Sequence, residues 1–132
     1  MKKNFFILLT VLMSAVVMTS CGLANLAKTG ATVNIKVVNL VGSPVSGEMV
    51  YKYSGDATDT ELANKLMADA YVATDQDGIA EFSIMNAELL LDDQATFYFE
   101  TFDTDGKVSG RKAVHIKKGH EVTETITLGQ LF

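Results

Sequence analysis

Tyr71-Val72-Ala73-Thr74-Asp75-Gln76-Asp77-Gly78-Ile79-Ala80-Glu81-Phe82-Ser83-Ile84 is the stretch whose reading decides the fold. Ala80, Phe82 and Ile84 fall on one side of an extended chain, Glu81 and Ser83 on the other. That period of two marks a strand with one buried face. Asp77-Gly78 stands between this run and Tyr71 to Thr74, and Asp-Gly between alternating runs is the strongest short-range hairpin signal. The same pattern recurs downstream. Asp103-Thr104-Asp105-Gly106 separates Ala95–Phe102 from Lys107–Lys117, and Lys117-Lys118-Gly119 separates Val114–Ile116 from Val122–Leu128. Phe97 and Phe99 point one way, Tyr98 and Glu100 the other. Glu124 is a local conflict, because it shares a face with Val122 and Ile126; either a bulge re-aims it or that face is partly exposed.

Upstream, Thr32 to Val38 alternates cleanly, with Val33, Ile35 and Val37 on one face. Asn39 to Gly47 interrupts with two glycines and the one proline, Pro44. Glu48 to Tyr53 is β-rich again, with Tyr51 and Tyr53 opposite Val50 and Lys52. Residues 54–70 differ in kind. Thr58 or Asp59 is placed to cap a helix with Glu61 in its first turn, and Leu62, Leu66 and Met67 fall at helical spacing, extended by Ala63 and Ala70. This stripe is expected to cover a sheet edge or plug one end of the core. Residues 87–93, with Leu89-Leu90-Leu91, read either as a crossover segment or as an irregular edge strand. Seven strands at short spacing predict an antiparallel sandwich.

Several landmarks carry a resemblance. Val37-Val38-Asn39 precedes Gly42-Ser43-Pro44-Val45-Ser46-Gly47, and Ala73-Thr74-Asp75-Gln76-Asp77-Gly78-Ile79-Ala80-Glu81-Phe82 follows further on. From about Ala31 to Leu128 the chain resembles the carboxypeptidase regulatory-like domain, a transthyretin-like β-sandwich common in secreted and surface proteins of Bacteroidota. The 55–69 insertion is longer and more helical than that family's connection, and Glu48 stands where the family has a small residue. The expected fold class is therefore all-β: a seven-stranded antiparallel immunoglobulin/transthyretin-like sandwich with one short inserted helix at about 60–69. The resemblance implies a non-catalytic structural or binding role.

At the amino end, Lys2 and Lys3 precede an apolar run from Phe5 to Met18, broken by Thr10 and Ser14. That is the n-region and h-region of a secretory signal peptide, and it is shorter than the ~20 residues of a spanning helix. Met18-Thr19-Ser20-Cys21-Gly22 resembles the lipobox of bacterial lipoproteins, relaxed by Met18 where the family has leucine. The resemblance implies cleavage before Cys21 and acylation of that cysteine, the only one in the chain. Several acyl chains matter physically, since one gives only marginal binding at ~0.8 kcal/mol per buried CH₂. The expected organisation is a signal peptide over 1–20, a tether over 21–30 and a β-sandwich domain over 31–132.

Loss of residues 1–20 removes Lys2 and Lys3 and no acid, which leaves nine basic against sixteen acidic residues, a net charge of −7. Basic residues cluster no further than the pairs Arg111-Lys112 and Lys117-Lys118, so nucleic-acid binding has no electrostatic footprint.

Candidate chemistry is sparse. Counted from Gly78 or Gly106, an EF-type calcium loop would need acids where Ala73, Ile84, Thr101 and Lys112 stand. The aspartates are therefore read as turn formers, the alternative being a looser calcium site shared between loops. His115 and His120 flank one turn but lack a third ligand, and strand parity places them on opposite faces. No metal or cofactor is expected. The carboxyl end, Gly129-Gln130-Leu131-Phe132, lacks the Tyr-Arg-Gly-Ser terminus of the transthyretin-like hydroxyisourate hydrolases, and nucleophile elbows and phosphate loops are absent from the sequence. The chain is read as a non-enzyme. Tyr51, Tyr53, Tyr98 and Phe102 form the candidate binding surface, for a glycan or a protein, or else serve as cover for the second sheet or the inserted helix.

The expected role is a lipid-anchored cell-envelope module, held to the membrane through Cys21. Gly22-Leu23-Ala24-Asn25 lacks the acids common after the cysteine of surface-exported lipoproteins, which favours the periplasmic side of the outer membrane over the cell surface. The alternatives are a small periplasmic inhibitor or immunity-type lipoprotein, for which an acidic body suits a basic enzyme, and an undescribed hydrolase.

Overall fold

The computed structural model describes residues 28–89 and 92–129. The expected signal peptide, Cys21 and the tether up to residue 27 lie outside these, as do Leu90 and Leu91. Among the described residues seven strands occur: β1 (Thr29–Val38), β2 (Met49–Ser54), β3 (Ala70–Ala73), β4 (Ile79–Met85), β5 (Gln94–Phe102), β6 (Val108–Lys117) and β7 (Glu121–Thr127), with one α-helix, α1 (Asp59–Leu62). They form a β-sandwich of two sheets, one ordered β4-β1-β7 and the other β3-β2-β5-β6. The fold class is as the alternation indicates. β1 starts at Thr29, so the last residues assigned to the tether belong to the domain.

The core is the sum of the inward faces. Val33, Ile35 and Val37 of β1, Ala80, Phe82 and Ile84 of β4, and Val50, Phe97, Phe99, Val114 and Ile116 of the other sheet are buried together. Phe82 and Phe99 meet edge to face across the sheets, centroids 4.9 Å apart, the favoured geometry for two ring quadrupoles.

Two turns act differently from the hairpin reading. Asp103–Gly106 joins β5 to β6, which are paired antiparallel neighbours. The Asp75–Gly78 turn closes in the same way, with Gly78 N–H donating to Asp75 O at 3.0 Å, yet β3 and β4 lie in facing sheets. The turn residues reverse the chain, and the packing decides which strand receives the ladder. Here Gly78 (φ 77°) is pressed against the Val37 carbonyl, Pro44 and Val45, where a Cβ would come within 2.8 Å of the carbonyl oxygen. Lys117–His120 likewise passes β6 of one sheet to β7 of the other. β7 therefore enters beside the start of β1 and runs parallel to it, from Thr32↔Glu121 to Val38↔Thr127. The sandwich is antiparallel except at this pair.

That register runs without a bulge, which resolves the Glu124 conflict. Its face is partly exposed at the sheet edge, and Glu124 reaches Lys112 of β6 at 3.6 Å. Nearby, Gly110 is required by space: a Cβ there would sit 2.3 Å from Ile126 Cγ2 and 2.9 Å from Thr101 Oγ1. Overpacking of this kind costs about 1–3 kcal/mol. Gly110→Val is expected to lie at the upper end of that range in urea denaturation, whereas Gly106→Val should act through its positive φ of 80° alone. Equal losses would show that β6 and β7 do not approach as described.

The insertion is shorter in helix than the apolar spacing suggests. Thr58 caps α1 in a capping box with Glu61, but α1 ends at Leu62. Asn64 interrupts it: its side-chain oxygen accepts from Leu66 N–H at 3.0 Å and starts a separate 3₁₀ turn, Lys65–Met67. The stripe is thereby split. Leu62 is buried, whereas Leu66 and Met67 are 86% and 51% exposed. Asn86–Leu89 is a 3₁₀ turn that drops Leu89 into the core, so the described residues of 87–93 before Leu90 form no edge strand.

Candidate functional site

Side-chain alternation in β2, β3 and β5 turns Val50, Val72, Phe97 and Phe99 inward. It leaves Tyr51, Tyr53, Tyr71, Tyr98, Glu100 and Phe102 on the outer face of the four-stranded sheet. The cross-strand register sets Tyr51 opposite both Tyr71 and Glu100, and Tyr53 opposite Tyr98. The rings of Tyr51 and Tyr71 lie 5.8 Å apart, and those of Tyr51 and Phe102 lie 5.3 Å apart at 84°. An aromatic row thus runs from the edge strand across the sheet.

The four residues singled out from the sequence divide. Tyr51, Tyr98 and Phe102 are half-buried on the outer face. Tyr53 is only 1% exposed, because the insertion folds over it and its hydroxyl donates to Asn64 O at 3.0 Å. Tyr53 is cover for the insertion and is removed from the candidate surface. Tyr71, 65% exposed, belongs to the row and was missed. Alternation puts Tyr71 opposite inward Val72, but its place beside Tyr51 comes from the pairing of β2 with β3. An open groove of about 410 Å³ borders the row, lined by Tyr51, Lys65, Leu66, Ala68 and Tyr71.

Glu100 was also missed as a special position. Although it points outward, its side chain is fully buried among its neighbours on this face. Arg111 of β6, directly opposite, donates to Oε2 from Nε at 2.9 Å and Nη2 at 2.8 Å. Oε1 has no hydrogen-bond partner among the described residues. Burial pushes the carboxyl above the ordinary range, and the Arg111 hydrogen bond and charge oppose the rise. Burial, then the Glu100 charge, also push the Tyr53 phenol up to about 12. A phenol raised in the folded state stays protonated where the unfolded chain ionises, so its contribution to stability falls as pH rises from about 10 towards 12. In an absorbance titration the tyrosinate signal is expected to end in a late step near pH 12 that Tyr53→Phe abolishes. A titration unchanged by that substitution would refute the burial.

On the inner side, Lys52 is buried with its ammonium 2.5 Å from Glu88 Oε1 and 5.0 Å above the Phe97 ring centroid. Glu88 Oε2 also accepts from Met85 N–H at 2.8 Å, so this ion pair ties the 3₁₀ turn to β2 and β4. The Asp turns are as read. Asp75 Oδ1 accepts from Asp77 and Ile79 N–H at 2.9 and 3.0 Å, and Asp103 Oδ1 from Asp105 and Lys107 N–H at 2.9 Å each. His115 bonds Thr96 and Gln94 at 3.0 Å. No group of three His, Cys, Asp or Glu side chains among the described residues is placed to hold a metal. Nor is any described helix long and apolar enough to cross a membrane.

No family model and no curated protein matches the chain. Among solved structures it is similar to BcpA, the major pilin subunit of Bacillus cereus, with 10% identity and a TM-score of 0.50 over 78% of this chain and 31% of that one. A DUF3823 family protein from Parabacteroides merdae gives 11% identity and 0.42 over 74% and 45%. (S)-allantoin synthase gives 11% identity and 0.47 over 78% and 42%. The chain spans less than half the length of each of these proteins. The likeness to BcpA supports the two-sheet fold, and a fold hosts unrelated activities.

Proposed function

We propose that the chain is a lipid-anchored envelope module of the carboxypeptidase regulatory-like type, acylated at Cys21 and held on the periplasmic side of the outer membrane. In this reading it binds a protein or glycan through the outer face of the four-stranded sheet and performs no chemistry. The observation that carries it is the row Tyr71-Tyr51-Phe102 beside an open groove, with exposed Leu66 in the groove's lining. Contiguous exposed aromatic and apolar side chains mark interaction surfaces, where aromatic residues and methionine are enriched. The similarity to a pilin subunit is compatible with a structural or binding role.

Two measurements test it. Cells expressing the chain are labelled with alkynyl palmitate and fractionated; label and membrane association are expected for the wild type and lost in Cys21→Ser. A membrane-free, unlabelled wild type would end the anchoring half. For the surface, amine-reactive crosslinking in the native envelope is compared with Tyr51→Ala combined with Tyr71→Ala. Adducts that persist unchanged in the folded double variant would exclude the aromatic row.

A further inference from the structure

The end of the sandwich opposite the start of β1 carries a second exposed apolar feature. β1 runs ten residues from Thr29 to Val38, which at strand rise is about 30 Å. The chain beyond it turns through Leu40 and Val41, exposed at 72% and 84%. Two aliphatic side chains so open to water are not explained by turn chemistry, which favours Gly, Asn, Asp and Pro.

This tip is held rather than loose. Asn39 Oδ1 accepts from Val41 N–H at 3.1 Å and Ser43 N–H at 3.0 Å. Asn39 N–H donates to Ser43 O, and Gly42 N–H to Asn39 O, each at 2.9 Å. Its surroundings are tied as well. The Asp75–Gly78 turn abuts Pro44 and Val45, and Gly129, whose N–H donates to Ser109 O of β6, lies beside Leu40. A preorganised apolar tip loses little freedom on binding.

The charge at this end chooses the occupant. The loops that meet here carry Glu48, Asp75, Asp77, Asp103 and Asp105 against the single cation Lys107. An anionic membrane surface or a nucleic acid would be repelled. One oxygen each of Asp75 and Asp103 is spent on its own turn, and among the described residues no group of His, Cys, Asp or Glu is placed to hold a metal. A sugar would find no aromatic platform in these loops. We propose that this end docks a folded protein partner whose surface offers an apolar recess for Leu40 and Val41, rimmed by lysine or arginine. Apolar centres with complementary charged rims are the ordinary anatomy of such contacts. The proposal rests on the anchoring reading in one respect only: a tether at the β1 start would point this end away from the membrane.

The test places a photo-crosslinking amino acid at position 41, and separately at 40, in the full chain in its native envelope, with exposed Ser83 of β4 as control. The expected result is a protein adduct at 41 and 40, about tenfold above the control, whose crosslinked peptide carries Lys or Arg beside apolar residues. Combining Asp77→Asn with Asp105→Asn should reduce the adduct about fivefold, as rim charges act on association, and added salt should do the same. The partner so identified is then purified and titrated with Cys21→Ser protein. Retained binding there, whatever the palmitate labelling shows, separates failure of the anchor from failure of this surface. Tyr51→Ala with Tyr71→Ala should leave the adduct at 41 unchanged. An adduct with lipid, with a second copy, or with residues 130–132 of the same chain would overturn the proposal. So would a yield equal to the control, or a yield indifferent to Asp77 and Asp105.

Discussion

Arg111→Ala is expected to cost about 3 kcal/mol of stability at pH 8, the lower end of the range for breaking a buried ion pair, because the arginine itself is partly exposed. The carboxylate left behind is the source of the loss. Glu100 is fully buried and both contacts at Oε2 come from Arg111. The sign with pH follows from its raised pKa. Above the ordinary carboxylate range the folded state keeps a proton that the unfolded chain has released, so stability falls as pH rises through that window. Removing Arg111 takes away the two effects that oppose the rise and extends the window upwards. The penalty should therefore shrink at pH 5, where a neutral Glu100 is tolerated. Glu100→Gln in the Arg111→Ala background is expected to restore most of the loss at pH 8. Urea denaturation of the three proteins at both pH values checks this. A penalty identical at pH 5 and pH 8 would show that lost packing, not the stranded charge, is responsible.

Phe99→Ala is expected to be the most damaging single core substitution, at about 3–5 kcal/mol. Phe99 is fully buried on β5, and its ring lies 4.9 Å from that of Phe82 on β4, in the other sheet. The loss is a large share of the 5–15 kcal/mol that holds a domain of this size together. Phe82→Ala should cost a similar amount, and the double variant should fall short of the sum by about 1 kcal/mol, the usual coupling of an aromatic pair. Thermal or urea melts followed by circular dichroism read both quantities. Strict additivity would mean that the rings do not meet across the sheets.

Much of the architecture is legible in one dimension, and for a local reason. Val33, Ile35 and Val37, or Ala80, Phe82 and Ile84, alternate because a pleated strand presents successive side chains to opposite faces, so inward and outward positions can be counted directly. Asp75 and Asp103 are equally readable, since each bonds backbone groups two and four residues on. The capping box of Thr58 and Glu61 is readable too, as a contact over three residues. The helix length was less so. The spacing of Leu62, Leu66 and Met67 suits one helix, but Asn64 breaks it by capping the next turn, and what holds Asn64 there is a distant residue, Tyr53.

The strand alternation and the turn chemistry by themselves determined seven strands, their inward faces and two sheets of a sandwich. Which strands pair was decided only in three dimensions. The turn at Asp75–Gly78 reverses the chain as surely as that at Asp103–Gly106, yet one leads to a facing sheet and the other to a ladder, because a turn sets direction while burial sets neighbours. The candidate surface followed the same division. Parity put Tyr51, Tyr53, Tyr98 and Phe102 on one face. Only the path of the insertion over that face buried Tyr53, and only the pairing of β2 with β3 and of β5 with β6 brought Tyr71 into the row and closed Glu100 against Arg111. Exposure depends on what the rest of the chain lays over a residue, and that is a property of the packed whole.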